Sequence, residues 1–469
     1  MFSPQRTQSC LDETISYYRQ AIQNQSSQQT QSRGELLPRN PKLYLYLGNA
    51  LTKMGRINGA IVLYNIGLEI KPNHRQINAE LGTVLKSKQK LEREVKACRL
   101  AIDKNPKSSQ NYYNLAVVLT RLEEWDKAAN AYLNAIQLNP NNEWSSYQVW
   151  ERLDKWGKLD KAVQFYQQKI EQKPNFLYYY LNLGDILTQQ ERIDEAIACY
   201  QKVADGQMMK SYPELFKKQE HSASDRGVDF LITGLTKGGT TSLYSYLTKH
   251  PQMIPAIRKE VNFWSMYFAK GIDWYLAHFP SIPEGEKFLT GEATPVYLRN
   301  WEVPTRLFDF FPKIKLITVL RNPVSRTISH YNHEARVNRE SRSFEKVINA
   351  QIEHFMSDRN PWNHTSSYIT HGLYVEFLKH WMSIFPREQF LILKSEDFSV
   401  DPAATMKKVF NFLELPDYQL KNYKKFNSGS YDDISESSRR QLSDFFQPYN
   451  EELEDYLGMT FNWEDSPSK

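Results

Sequence analysis

Written in steps of 34, residues 43–208 fall into columns. Tyr64, Tyr132, Tyr166 and Tyr200 share one column, which Cys98 interrupts; Ala60, Ala128, Ala162 and Ala196 share another, where Glu94 departs. Leu47, Leu81, Leu115, Val149 and Leu183 form a third, followed by Gly48, Gly82, Ala116, Trp150 and Gly184. Pro72, Pro106, Pro140 and Pro174 close the first four units at the same spacing. A fixed period of this length dictates a stacked array, because one unit alone cannot bury its apolar face and its neighbours must cover it. Each unit is expected to hold two amphipathic helices, with small residues where the pair packs closely and proline where the second helix stops. Alanine and tyrosine stand four apart in each unit, on one face of that second helix.

These columns resemble the tetratricopeptide repeat family, with about five copies over residues 41–208. The resemblance implies an α-solenoid and is nearly silent on what it binds. Upstream, residues 1–40 read as a degenerate unit around Thr14–Ile22 followed by a polar low-complexity loop, Gln23–Gln31. The solenoid has two competing uses: a groove that docks a protein partner, or a scaffold and self-association surface that positions the rest of the chain. Trp125, Trp144 and Trp156 are candidate anchors, although apolar residues at helical spacing more often report a core.

Composition narrows the class. The 469 residues are 41% hydrophobic and 24% charged, which excludes global disorder, and carry a net charge of +5. No apolar run reaches the roughly 18 residues that a membrane span needs. The sequence from Met1 to Arg6 lacks the apolar core of a secretory signal. Cys10, Cys98 and Cys199 are too far apart to suggest a disulfide framework or a zinc site, so a cytoplasmic location is expected. The positive excess is confined to the repeats. Residues 1–220 hold 30 Lys and Arg against 23 Asp and Glu, whereas residues 221–469 hold 29 against 31. That distribution argues against nucleic acid as the partner and leaves an acidic protein as a candidate for the solenoid.

Beyond residues 209–227, which read as a linker, the period changes. Short apolar runs at 228–233, 315–320 and 389–393, with a shorter one at 288–290, alternate with helical patterns. Strands separated by helices imply βαβ units and a parallel sheet, hence a three-layer α/β domain over 228–469. Ligands of such sheets sit beyond the carboxyl ends of the strands, and the motifs stand at those ends. Gly234-Leu235-Thr236-Lys237-Gly238-Gly239-Thr240-Thr241 follows the first strand and opens a helix. Adjacent glycines let the backbone wrap an anion, the helix start offers free N–H groups, and the lysine adds a point charge. The lysine precedes the glycine pair, so this is not the GxxxxGK[ST] loop of nucleotide kinases. After the second strong strand comes Arg321-Asn322-Pro323, with Ser329 eight residues beyond Arg321. Arginine grips phosphate bidentately and serine adds a donor; a structural ion pair with a surface serine is the alternative.

Together these segments resemble the phosphate-binding loop and 3′-phosphate site of sulfotransferases that use 3′-phosphoadenylyl sulfate (PAPS). The similarity is greatest to the branch containing heparan sulfate N- and 3-O-sulfotransferases and their bacterial relatives. Lys259-Glu260-Val261-Asn262-Phe263-Trp264, Gly291-Glu292-Ala293-Thr294-Pro295 and His371-Gly372-Leu373-Tyr374 extend it over residues 228–463. The resemblance implies that Lys237, Gly238, Gly239, Thr240 and Thr241 cradle the 5′-phosphosulfate, with Lys237 at the bond that breaks. It implies that Arg321 and Ser329 hold the 3′-phosphate, that Glu260 is the general base, and that no metal takes part. His250 and His278 are rival bases outside the matching segments. From spacing alone, Glu260 also reads as a helix-start carboxylate paired with Lys259.

Three departures bear on the acceptor. Ala293 stands where glycosaminoglycan-modifying relatives carry lysine, Asn262 where they often carry histidine, and no cysteine follows Cys199. Lys424–Tyr431 resembles the cofactor loop of bacterial relatives, and Tyr374 is a candidate to stack near the adenine. The expectation is a sulfotransferase moving a sulfuryl group from PAPS to a hydroxyl or amine of an undetermined acceptor. A repeat scaffold whose nucleotide-binding domain is not catalytic is the alternative.

Overall fold

The computed structural model describes residues 40–139, 143–219, 224–225, 227–336, 340–363, 368–423 and 434–463. The candidate loop Lys424–Tyr431, the segment 1–39 and the side chain of Trp144 lie outside them. The chain divides into two compact units, Met1–Phe165 and Tyr166–Lys469.

In the first unit, the helices Pro41–Lys53, Ile57–Ile70, Ser109–Arg121 and Trp125–Leu138 form pairs with the expected period. Close packing within a pair explains the glycine column. A Cβ added to Gly48 would lie 2.3 Å from Cε1 of Tyr64, and the tyrosine hydroxyl donates to Asn49 Oδ1 at 2.7 Å. Helix starts share the period too: the side chains of Asn40, His74 and Ser108, 34 apart, cap the helices that follow them. Trp125 and Trp156 are half-buried and pack against each other, ring centroids 4.9 Å apart.

One expectation fails. The second repeat has no helix pair: Arg75–Lys104 is a single helix of 30 residues. The reason lies in the turn column. Gly55, Glu123, Gly157 and Glu191 all take positive φ, +73°, +58°, +63° and +60°, to turn the chain between paired helices. The same column holds Gln89, flanked by Lys88 and Lys90, three good helix formers with no glycine to lower the cost of a left-handed residue. This is also the unit in which Glu94 and Cys98 break the alanine and tyrosine columns, so nothing holds a second helix against the first.

The second compact unit begins within the helix Leu159–Gln172 and takes in the last repeat, helices Leu177–Gln189 and Ile193–Ser211. The column that holds proline in earlier units holds Met208 here, and the helix runs on until Tyr212-Pro213. The short helix Pro213–Gln219 follows, and its Leu215 is buried with Met208 and Ile254.

A parallel four-stranded sheet forms the centre of this unit. Its strands are β1, Phe230–Gly234; β2, Gly291–Glu292; β3, Lys315–Leu320; and β4, Phe390–Lys394, in the order β2-β1-β3-β4. All of β1, and β3 from Leu316 to Leu320, are buried, the continuous apolar run that a sheet covered on both faces requires. One core joins sheet residues Phe230, Ile232, Ile317 and Val319 to the helices Thr240–Leu247 and Pro402–Phe412. Another gathers Pro323–Arg336, Phe344–Asp358 and Glu436–Leu457. The edge strand begins immediately after the apolar run 288–290, not within it. Pairing occurs at Gly291, opposite Phe230, where a Cβ would come within 2.3 Å of the Phe230 carbonyl oxygen. A residue chosen for its missing side chain leaves no apolar signal in the sequence.

Candidate active site

The carboxyl ends of the parallel strands all point the same way, and β1, β2 and β3 lead into segments of the candidate site. After β1, the backbone turns through Gly234 (φ +146°), Lys237 (φ +76°) and Gly239 (φ +110°), and the helix Thr240–Leu247 starts directly behind it. Lysine in the left-handed region is strained, which marks an over-determined loop. Gly238 has no room for a side chain, since a Cβ would lie 3.0 Å from both the Leu235 and Val319 carbonyl oxygens. The result is a tight turn, closed by the Gly238 N–H donating to the Leu235 carbonyl at 2.9 Å, that leads straight into a helix start, a position suited to an anion.

Arg321 leaves the end of β3 and donates through Nη1 to the Lys237 carbonyl at 3.2 Å, so the two expected cofactor segments meet. Tyr374 donates its hydroxyl to the Arg321 carbonyl at 2.7 Å and is buried against Trp463, a structural brace for Arg321. Ser329 is buried on the helix Pro323–Arg336, near its middle. Asn322 caps the first turn of that helix, its Oδ1 accepting from Ser325 N at 3.0 Å.

Two residues of this region carry signals that the spacing of motifs does not rank. Arg326 is fully buried and donates to Thr327 Oγ1 and to the Tyr368 carbonyl. Burial pushes its pKa down to about 10. His330, one turn on, is pushed down to about 3 by burial and then by the charges of Arg326, His333, Lys237 and Arg299. The imidazole therefore stays neutral at physiological pH, inside a field made positive by several placed cations. A domain with no net positive charge concentrates its cations here, and the donor set fits a polyanionic nucleotide.

The second half of the site is built around Glu260. It lies in a loop, not at a helix start, with its side chain 35% exposed and Lys259 Nζ at 2.5 Å from Oε1. The loop is fixed from behind. Ala293 N donates to the Lys259 carbonyl at 2.8 Å, and Asn262 N to Thr294 Oγ1 at 3.4 Å. Asn262 takes a left-handed φ of +58° and starts the aromatic turn Phe263–Tyr267. The residue that anchors this arrangement is Glu292, which motif spacing did not single out. Fully buried, it accepts from Val261 N at 3.0 Å, from Tyr275 and Tyr297 hydroxyls at 3.0 Å each, and from Thr294 Oγ1. Burial pushes its carboxyl up to about 7, against the lowering effect of those donors.

The rival bases occupy packing positions. His250 is buried, its Nε2 3.0 Å from the Pro416 carbonyl and its Nδ1 accepting from Gln252 N. His278 is buried under Tyr200, ring centroids 4.2 Å apart, with Nδ1 2.9 Å from the Trp274 carbonyl. Among the described residues, no group of three or more His, Cys, Asp or Glu side chains is arranged to hold a metal ion, and no helix is long and apolar enough to cross a membrane.

Comparison with known proteins follows the same division. A sulfotransferase domain model matches residues 228–448, and tetratricopeptide repeat models match residues 110–142 and 177–205. The mouse heparan sulfate glucosamine 3-O-sulfotransferase 5 is 30% identical over 264 residues, covering 50% of this chain and 73% of the relative. The membrane-associated sulfotransferase kil1 of Dictyostelium discoideum is 26% identical over 314 residues, covering 50% of this chain and 66% of the relative. A crystal structure of a sulfotransferase from Alicyclobacillus acidocaldarius is 26% identical and covers 51% of this chain and 99% of that one, at a TM-score of 0.43. Motif, sheet and sequence likeness agree: the chain belongs to the sulfotransferase family, with tetratricopeptide repeats ahead of the catalytic fold.

Proposed function

We propose that the protein transfers a sulfuryl group from PAPS to a hydroxyl or amine by in-line displacement. The observation that carries this reading is the meeting of Arg321 with the Lys237 main chain over the left-handed glycine loop. In this reading the loop Lys237–Thr241, with the helix start behind it and the Lys237 ammonium, receives the phosphosulfate end of the donor, while Arg321 and Ser329 receive its 3′-phosphate. The bound donor supplies an electrophilic sulfur and a good leaving group, so positioning and charge neutralisation are what the chain must add.

Glu260 takes the proton that the acceptor loses as it attacks. Partly exposed beside Lys259, it is open to an acceptor from solvent, whereas buried Glu292 is committed to four donors and serves to hold the Glu260 loop. The chemistry runs on residues 228–469, with the repeats of 41–208 as a protein-interaction or self-association module. The names of the relatives make glucosamine of heparan sulfate the first acceptor class to try, although Ala293 removes one cation from that side. Radiolabelled PAPS offered to glycans, proteins and small alcohols identifies the acceptor. On that acceptor, Glu260→Gln keeps affinity for 3′-phosphoadenosine 5′-phosphate, read by calorimetry, and loses turnover by at least about a hundredfold. Undiminished turnover refutes the base, and failure of the wild-type chain to bind the nucleotide refutes the reading as a whole.

A further inference from the structure

The last repeat and the sulfotransferase fold share the second compact unit, and they meet next to the Glu260 loop. Asp185 belongs to the repeat helix Leu177–Gln189 and Arg258 to the loop two residues before Glu260; the two form an ion pair. The pair is shielded, the side chains retaining 16% and 27% of their exposure. The other Asp185 oxygen accepts from the Tyr200 hydroxyl at 2.9 Å. Around it, Trp274 Nε1 donates to Thr188 Oγ1 at 2.9 Å, and the Tyr200 ring lies edge-on to Trp274 and beside His278. Lys270 reaches Glu191 of the same repeat at 2.5 Å.

Asp185 occupies the repeat column of Asn49, and the use made of that column differs between repeats. In the first repeat the asparagine accepts from its own tyrosine, Tyr64, and Thr52 lies 3.3 Å from the same hydroxyl. In the last, the tyrosine and threonine contacts recur at Tyr200 and Thr188, but the amide is replaced by a carboxylate whose spare oxygen grips Arg258. A charge added at this position, with its cation supplied from outside the repeat, marks a junction built to hold that loop.

We propose that Asp185 is a positioning residue for sulfuryl transfer: through Arg258 it fixes the loop Arg258–Asn262, so the last repeat is a working part of the transferase and not a detachable appendage. The loop is then clamped at both ends, by Asp185 at Arg258 and by Glu292 and Thr294 at Val261 and Asn262. This inference rests on the assignment of Glu260 as base. Reactions that depend on aligned groups lose about a hundredfold in rate for a displacement near 1 Å, and an unclamped loop allows such a displacement.

The test uses the full chain. Asp185→Asn keeps the shape and the Tyr200 hydrogen bond while removing the charge; Thr188→Val, which removes the bond to Trp274 from the same helix, is the control. Hydrogen exchange over peptide 256–262 is expected to accelerate at least tenfold in Asp185→Asn and to stay unchanged in Thr188→Val. Affinity for 3′-phosphoadenosine 5′-phosphate and KM for PAPS stay within twofold in both, while kcat on the acceptor found by the panel falls about a hundredfold in Asp185→Asn alone. If Asp185→Asn does not fold, Arg258→Lys, which keeps a cation opposite the carboxylate but loses the fork, is read the same way. Wild-type exchange over 256–262 with wild-type kcat overturns the proposal whatever Glu260 does. Full turnover in Glu260→Gln instead sinks the base assignment, and leaves the exchange result to report on the clamp alone.

Discussion

Replacing Glu292 with glutamine is expected to change the pH dependence of stability. The carboxyl is fully buried and raised from its ordinary 4.5 to about 7, with burial as the main cause. A carboxyl raised in the folded state binds its proton more tightly folded than unfolded. Its contribution is therefore fully present below about pH 4.5 and is lost as pH rises through about 7. Carried over that range, the loss amounts to about 3 kcal/mol. The amide of Glu292→Gln resembles the protonated acid. Its oxygen can keep the Val261 and Thr294 donors, and its NH2 can donate to Tyr275 and Tyr297, whose hydroxyls rotate to accept. Wild type and variant should thus melt close together near pH 5, with the variant rising by roughly 5 °C relative to wild type at pH 8.5. Differential scanning calorimetry at both pH values, following the same transition, reads this directly. A difference that stays constant between pH 5 and 8.5 would show that the carboxyl is ionised throughout and that burial does not control it.

Two further outcomes are expected. Gly239→Ala forces a side chain into φ +110°, a strain of about 1–3 kcal/mol placed in the anion loop, so affinity for 3′-phosphoadenosine 5′-phosphate should fall about tenfold or more. Equal affinity in calorimetry would mean that the loop does not hold the donor. Tyr374→Phe deletes the hydroxyl that braces the Arg321 carbonyl and should cost about 1 kcal/mol of stability, seen as a lower melting temperature of a few degrees.

The glycines show how far the sequence reaches. Gly48 and Gly184 stand in a visible column because every helix pair repeats the same tyrosine contact, and the fold writes that contact into the period. Gly291 stands alone, and the strand it forms was displaced from the apolar run that announced it. Lys237, Gly238, Gly239 and Arg321 stood out because a glycine turn at a strand end constrains neighbours in sequence, and the structure brings Arg321 to the Lys237 carbonyl. Arg326 and His330 sat inside a recognised segment, yet nothing in their spacing separated them from surface residues. Their environment comes from Tyr368 and from cations distant in the chain.

Periodicity and residues a few positions apart were enough to specify the repeat array, the parallel sheet and the glycine turn after its first strand. The sequence also held the reason that one unit fails to break, in the absence of a turn residue at Gln89, though the break was expected there. Tertiary structure decided what periodicity cannot encode. Glu292 became an anchor because four donors from 261, 275, 294 and 297 converge on it. Asp185, one more member of a repeat column, acquired a partner at Arg258 because the last repeat folds with the sheet. Side-chain charge is local in sequence, but the burial that gives a charge its effect is assembled from the whole unit.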